Sequence, residues 1–77
     1  MEIIIHRINT ISELKTINPT FGVEIDIRTY GNDLVLSHDP FKNGDKLEDY
    51  LYEYKHGTLI FNIKESGIED NVLSLIS

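Results

Sequence analysis

The side chains able to do chemistry sit at the downstream ends of short apolar runs. "IIIHR" closes on His6 and Arg7, and "GVEIDIR" carries Glu24, Asp26 and Arg28. "LVLSHD" closes on His38 and Asp39, and "LIFNIK" carries Asn62 and Lys64 with Glu65 just beyond. In parallel α/β folds the active site lies at the carboxyl ends of the strands. If these runs are such strands, imidazoles, carboxylates, an amide and several cations arrive at one end of one sheet. Such a set can move protons and hold a charged ligand.

Each residue alone has an ordinary explanation. A single histidine at a strand end is commonly a hydrogen-bonded structural residue. Glu24 and Asp26 on an alternating strand read as a solvated face, Arg28 as a surface ion-pair partner and Lys64 as a charge flanking a helix. His56, in "KHG", reads as a loop residue. The coincidence of the four ends tips the balance, because charged side chains inside a barrel are costly unless they pair or bind something.

The elements that must position these groups follow from periodicity. "EIIIH", residues 2–6, is a continuous β-branched run that reads as a strand buried on both faces. "NTISELKTI" reads as a helix capped by Thr10 or Asn9, with Glu13 completing a capping box after Thr10 and Ile11, Leu14 and Ile17 on one face. Asn18-Pro19 ends it. Strands are expected at about 22–28 and 33–38, joined through Gly31-Asn32. The link is too short for a parallel crossover, so the two form a hairpin. "KLEDYLYEYK" is a helix with Leu47, Tyr50, Leu51 and Tyr54 inward. "TLIFNIK", 58–64, is another buried strand. "SGIEDNVLSLIS", 66–77, begins a last helix with Ile68, Val72, Leu75 and Ile76 on its inner face.

The hairpin register carries a specific expectation. With a two-residue loop, Tyr30 faces Asp33, and Asp26 then faces Ser37 rather than His38. Bringing His38 beside Asp26, near His6, requires a three-residue loop or a bulge, so one is expected between Arg28 and His38.

The order β-α-β-β-α-β-α favours an α/β architecture with a parallel sheet. At 77 residues the chain has the size of one small domain or a piece of a larger fold. It has no cysteine, hence no disulfide and no thiolate metal site. Its formal charge of −6 argues against a nucleic-acid partner. No apolar stretch approaches the roughly 20 residues of a membrane span. The start lacks the leading charge and apolar length of a signal peptide, so a cytoplasmic location is the expectation.

"IIIHR", "GVEIDIR", "LVLSHD" and "LIFNIKESG" together resemble the first half of the glycerophosphodiester phosphodiesterase and phosphatidylinositol-specific phospholipase C superfamily. The resemblance implies the N-terminal part of an irregular (β/α)8 barrel. It also implies cleavage of phosphodiesters by a histidine pair, assisted by a carboxylate-bound divalent metal or, in some bacterial members, an arginine in the metal's place. On this resemblance His6 and His38 are the catalytic base and acid. Arg7, Arg28 and Lys64 bind substrate, and Glu24, Asp26 and Asn62 are oxygen ligands for Mg²⁺ or Ca²⁺. Phosphodiester cleavage needs such a base, such an acid and positive charge for the developing dianion.

The chain departs from the family at marked positions. Ile8 stands where the phosphodiesterase branch has glycine, and only Asn9-Thr10 remain of a loop that ends in Glu-Asn-Thr. Asn62 replaces a metal-binding glutamate, while "DIR" matches the arginine-bearing phospholipase branch. Metal binding is therefore expected to be weak, with Arg28 supplying part of the charge. A full barrel takes about 200–250 residues, so residues 1–77 are expected to form a single incomplete barrel segment, inactive on its own. Its ligand would be a small phosphodiester or a lipid head group. The alternative is a non-catalytic barrel fragment that binds or assembles, and an open barrel edge would invite self-association.

Overall fold

The computed structural model describes residues 1–76 and has the element order expected. The elements are β1 (Ile4–Ile5), α1 (Ile11–Leu14), β2 (Gly22–Tyr30), β3 (Asp33–Leu36), α2 (Leu47–Glu53), β4 (Leu59–Ile63) and α3 (Glu69–Ile76). The expected end of the last helix at Ser77 lies outside the described residues.

β2 is the hub of a mixed four-stranded sheet. One edge pairs in parallel with β4, from Val23 opposite Leu59 to Ile27 opposite Ile63. The other edge is shared. β1 pairs in parallel with its first residues, Ile4 opposite Gly22 and Ile5 opposite Val23. β3 returns antiparallel along its last residues, from Ile27 opposite Leu36 to Tyr30 opposite Asp33. Gly22 lies where β1, β2 and β4 meet: an added Cβ would come within 2.5 Å of both the Ile4 Cδ1 and the Thr58 carbonyl.

The alternation of β2 assigns its two faces. Val23, Ile25 and Ile27 have no exposed surface. They form one cluster with Leu14 of α1, Leu47 and Tyr50 of α2, and Ile68 and Val72 around α3. All three helices therefore contribute to the core on this face. Glu24, Asp26 and Arg28 project from the other.

Local chemistry explains most element ends. Thr10 caps α1, its hydroxyl oxygen accepting from the Glu13 amide at 3.0 Å. The helix is shorter than its apolar spacing suggests: Thr16 and Ile17 donate to the carbonyls of Glu13 and Leu14, three residues back, and tighten the last turn before Asn18-Pro19. β1 is also shorter than "EIIIH" suggests. Ile3 is half exposed, because only one edge of this strand is paired among the described residues. On α3, Val72 is buried but Leu75 and Ile76 are exposed, so the inner face covers less than its periodicity implies.

The hairpin corrects one expectation. Its loop has two residues, Gly31 and Asn32, and the ladder runs without a bulge from Tyr30–Asp33 to Ile27–Leu36. Gly31 has φ +63°, the positive value that a type II′ turn asks of its first central residue. Ser37, not His38, is therefore level with Asp26, and its amide donates to the Asp26 carbonyl at 3.0 Å. The turn satisfies the strand twist without an extra residue, so nothing forces the register to slip.

Candidate functional site

The edge shared by β1 and β3 leaves a gap opposite Asp26, and a side chain fills it. After β1 the chain kinks at Arg7, which has φ 57°, a left-handed conformation that costs a non-glycine residue energy. The kink returns the backbone to β2, where the Ile8 amide donates to the Glu24 carbonyl at 3.0 Å. The side chain of Ile8 drops into the core, which gives this non-glycine position its packing role. Asn9 then acts as a missing piece of strand. Its Oδ1 accepts from the Asp26 amide at 2.8 Å, and its Nδ2 donates to Asp26 Oδ2 at 2.9 Å.

Three further tethers hold this loop. The Tyr50 hydroxyl donates to the Ile8 carbonyl at 2.7 Å in a buried setting. Burial also pushes the Tyr50 phenol well above its usual range, so it stays a donor. Asp45 Oδ2 accepts from the Ile11 amide at 2.6 Å and holds the start of α1. Thr10 supplies the cap already described.

On this scaffold stand His6, Glu24, Asp26, Asn62 and Lys64. His6 Nδ1 lies 3.3 Å from Glu24 Oε1, with the imidazole largely in solvent. Asp26 is only 1% exposed, yet it lies on the face of the sheet away from the helices. Its Oδ1 is 3.6 Å from Lys64 Nζ. Asn62 is level with Asp26 on the neighbouring strand. These groups form a shelf past the end of β1 and along the last residues of β4, beside the middle of β2.

The remaining expected residues lie beside the shelf. The Arg28 Nε and Nη2 donate to the His38 carbonyl at 3.3 and 3.0 Å, so this guanidinium ties down the loop after β3. The His38 ring itself pairs with Asp39, at 3.3 Å. Lys42 reaches the other oxygen of Asp39, and these two partners hold the Asp39 carboxyl below its usual value. The two histidines are therefore held by separate carboxylates. Arg7 is exposed beside His6. His56 is at the opposite end of the strands, before β4, where its Nε2 lies 2.9 Å from the Ile17 carbonyl, in keeping with a structural loop residue.

A surface concavity of about 560 Å³ adjoins the shelf, lined by Arg28, Thr29, Tyr30, Gly31, Pro40, Phe41 and Glu65. A second, of about 430 Å³, lies between the hairpin and Asn71 and Leu75 of α3. Neither of these two concavities is lined by His6, Glu24, Asp26 or Lys64.

Glu65 closes the free edge of β2 past the end of β4. Its two oxygens accept from the Thr29 hydroxyl at 2.6 Å and the Thr29 amide at 3.2 Å. These bonds favour the ionised carboxyl and lower its pKa from an ordinary 4.5. A depressed carboxyl stabilises the fold above its unfolded pKa, and that contribution is lost as pH falls through the folded value. Glu65→Gln is therefore expected to lower the urea midpoint at pH 7. The gap to the parent chain should narrow steadily below about pH 4.5. A gap that persists unchanged to pH 2.5 would contradict it.

The oxygen donors can be tested against a divalent cation. Ca²⁺ takes about six to eight oxygen ligands, whereas Mg²⁺ keeps several waters and takes one or two carboxylates from the protein. Asp26 already gives Oδ2 to the Asn9 amide and faces Lys64 with Oδ1. Glu24 faces His6, and Asn62 is neutral. Among the described residues, no three His, Asp or Glu side chains group as metal ligands. A divalent cation here would have to displace Lys64 from Asp26 Oδ1 and His6 from Glu24 Oε1.

Sequence alone points to neither Asn9 as the partner of Asp26 nor Asp45 as an anchor of α1. Asn9 carries a legible capping signal, but for its own helix. Comparison with protein-family models, with characterised proteins and with solved structures returned no match to the chain. The fold is a small α/β unit with a mixed four-stranded sheet and three helices. No described helix is long and apolar enough to cross a membrane.

Proposed function

We propose that this chain is a segment of a phosphodiester hydrolase similar to the glycerophosphodiester phosphodiesterases and phosphatidylinositol-specific phospholipases C. In this reading β1, β2 and β4 are the first three parallel strands of an irregular (β/α)8 barrel, with β3 as an excursion. The observation that carries it is the division of the sheet: all three helices feed the core on one face, while His6, Glu24, Asp26, Asn62 and Lys64 share the other, past the end of β1 and along the last residues of β4. Barrel enzymes place their chemistry at that end. His6, oriented by Glu24, is the group to take or give the proton. Lys64 and Arg7 attract the anionic phosphodiester, and His38 acts from the loop that Arg28 anchors.

The natural ligand is a small phosphodiester or a lipid head group. Turnover by the 77 residues alone is not expected, because barrel catalysis needs groups from several strands held to about 0.5 Å, and the His6 ring here stands largely in solvent. A second reading, a non-catalytic module that binds or assembles, draws on the separate pairing of the two histidines.

Titrating the chain with glycerophosphoglycerol while recording amide and imidazole NMR signals tests the proposal. Shifts confined to His6, Arg7, Lys64 and the His38 loop are expected, and they should vanish in His6→Ala. A shift map elsewhere, or none at millimolar ligand, would reject the phosphodiester reading. Hydrolysis by the short chain that disappears in His6→Ala would keep the chemistry but overturn the claim that the segment is incomplete.

A further inference from the structure

We propose that Lys64 takes the place of a divalent cation at this site: its ammonium group, docked on the Asp26 carboxylate that Asn9 orients, is the resident positive charge of the shelf. The inference deepens the phosphodiester reading and rests on it for the identity of the substrate oxygens.

The argument starts from Asp26. Its carboxylate is buried, so any cation must approach by the route that its present partners leave open. Asn9 Nδ2 holds Oδ2 at 2.9 Å. Asn9 cannot turn away freely, since its Oδ1 also holds the Asp26 amide at 2.8 Å. That double contact leaves Oδ1 of Asp26 as the oxygen aimed at the shelf, and Lys64 Nζ lies 3.6 Å from it.

Lys64 is placed there by the backbone. Its amide donates to the Ile27 carbonyl at 3.0 Å, which extends the β2–β4 ladder one step past Ile63. Its side chain is 28% exposed, whereas that of Asp26 is 1% exposed. The ammonium group therefore bridges a buried anion and the open surface. A lysine ammonium is a compact point charge with three donors, well suited to phosphate oxygens. It can hold Asp26 and still direct a donor outward. In the reaction it would form no bond to substrate and release no proton. Its contribution is a fixed positive charge beside the oxygen on which negative charge develops.

The other donors agree. Asn62, level with Asp26, adds no negative charge. Glu24 is engaged by His6. With Lys64 present, the two carboxylates carry one compensating cation; without it, both charges face the same shelf.

Mn²⁺ broadening of amide signals distinguishes the cases. The full chain is expected to show no saturable broadening localised at Glu24, Asp26 and Asn62. Lys64→Met should acquire it, with Mn²⁺ bound roughly tenfold or more tightly, as expected when a unit positive charge leaves an anionic site. Lys64→Arg, which keeps the charge, should not acquire it. Should Lys64→Met fail to fold, Lys64→Gln serves instead, because its amide can still donate to Asp26 while carrying no charge. Saturable broadening at these residues in the parent chain would overturn the proposal. So would a folded, uncharged variant that gains no Mn²⁺ binding, since Lys64 would then not be what keeps a cation out. Neither readout depends on turnover, so absence of phosphodiester binding would reject the functional reading and leave the metal result standing on its own.

Discussion

Ile25→Ala is expected to cost about 2–5 kcal/mol of stability, the range for deleting a fully buried isoleucine side chain beyond its first carbon. Ile25 sits at the middle of β2, opposite Phe61 of β4, with no exposed surface. It belongs to the cluster that joins all three helices to the sheet. A 77-residue chain has roughly 4–12 kcal/mol in total at typical per-residue stability, and short chains tend to the lower end because they bury less surface. The substitution therefore removes a large share of the whole. In urea titrations the midpoint should fall with an unchanged slope. Ile25→Val should cost only about 0.5–1.5 kcal/mol. A loss below about 1 kcal/mol for the alanine variant would mean that the core is not centred on this face.

Asn9→Ala should be nearly as damaging, although Asn9 is a polar loop residue. The alanine leaves the Asp26 amide without its acceptor and takes one donor from a carboxylate that is almost fully buried. An unsatisfied buried polar group costs about 1–3 kcal/mol, and more if charged, so a loss of roughly 2–4 kcal/mol is expected. The neighbouring Thr10→Ala gives the comparison. It removes only a helix cap at the surface, typically worth about 1 kcal/mol. In an Asp26→Ala background the cost of Asn9→Ala should shrink, because the carboxylate contact is then already gone. If Asn9→Ala costs no more than Thr10→Ala, the strand-mimicking role of Asn9 is wrong.

Both predictions turn on β2, and that strand shows how much could be read in advance. Val23, Ile25 and Ile27 alternate with Glu24, Asp26 and Arg28, and a period of two has only one way to hide the first set. The apolar and polar faces were thus legible. So were the alternation of strands and helices, the Thr10 cap and the Gly31-Asn32 turn, because each depends on residues adjacent in the chain. The strand ends were legible as one gathering, expected to bring Glu24, Asp26 and His38 together near His6; the structure sets His6 at Glu24 and Lys64 at Asp26 and pairs His38 with Asp39 instead.

Contacts between distant residues were decided only by the tertiary structure. Asn9 meets Asp26 across 17 residues, Asp45 meets Ile11 across 34 and Tyr50 meets Ile8 across 42. No local pattern encodes these partners, since any exposed Asn, Asp or Tyr would look the same in sequence. The hairpin register was decided in the same way. Ser37 and His38 are both polar, so either could stand level with Asp26, and the two-residue turn, with the Ser37 amide on the Asp26 carbonyl, selects the alignment that sets His38 aside. The sequence by itself determined which residues face away from the core. The packing of β1 and β3 end to end along one edge of β2 decided which of them meet, because the gap between those strands is where Asn9 must enter and where Asp26 must point.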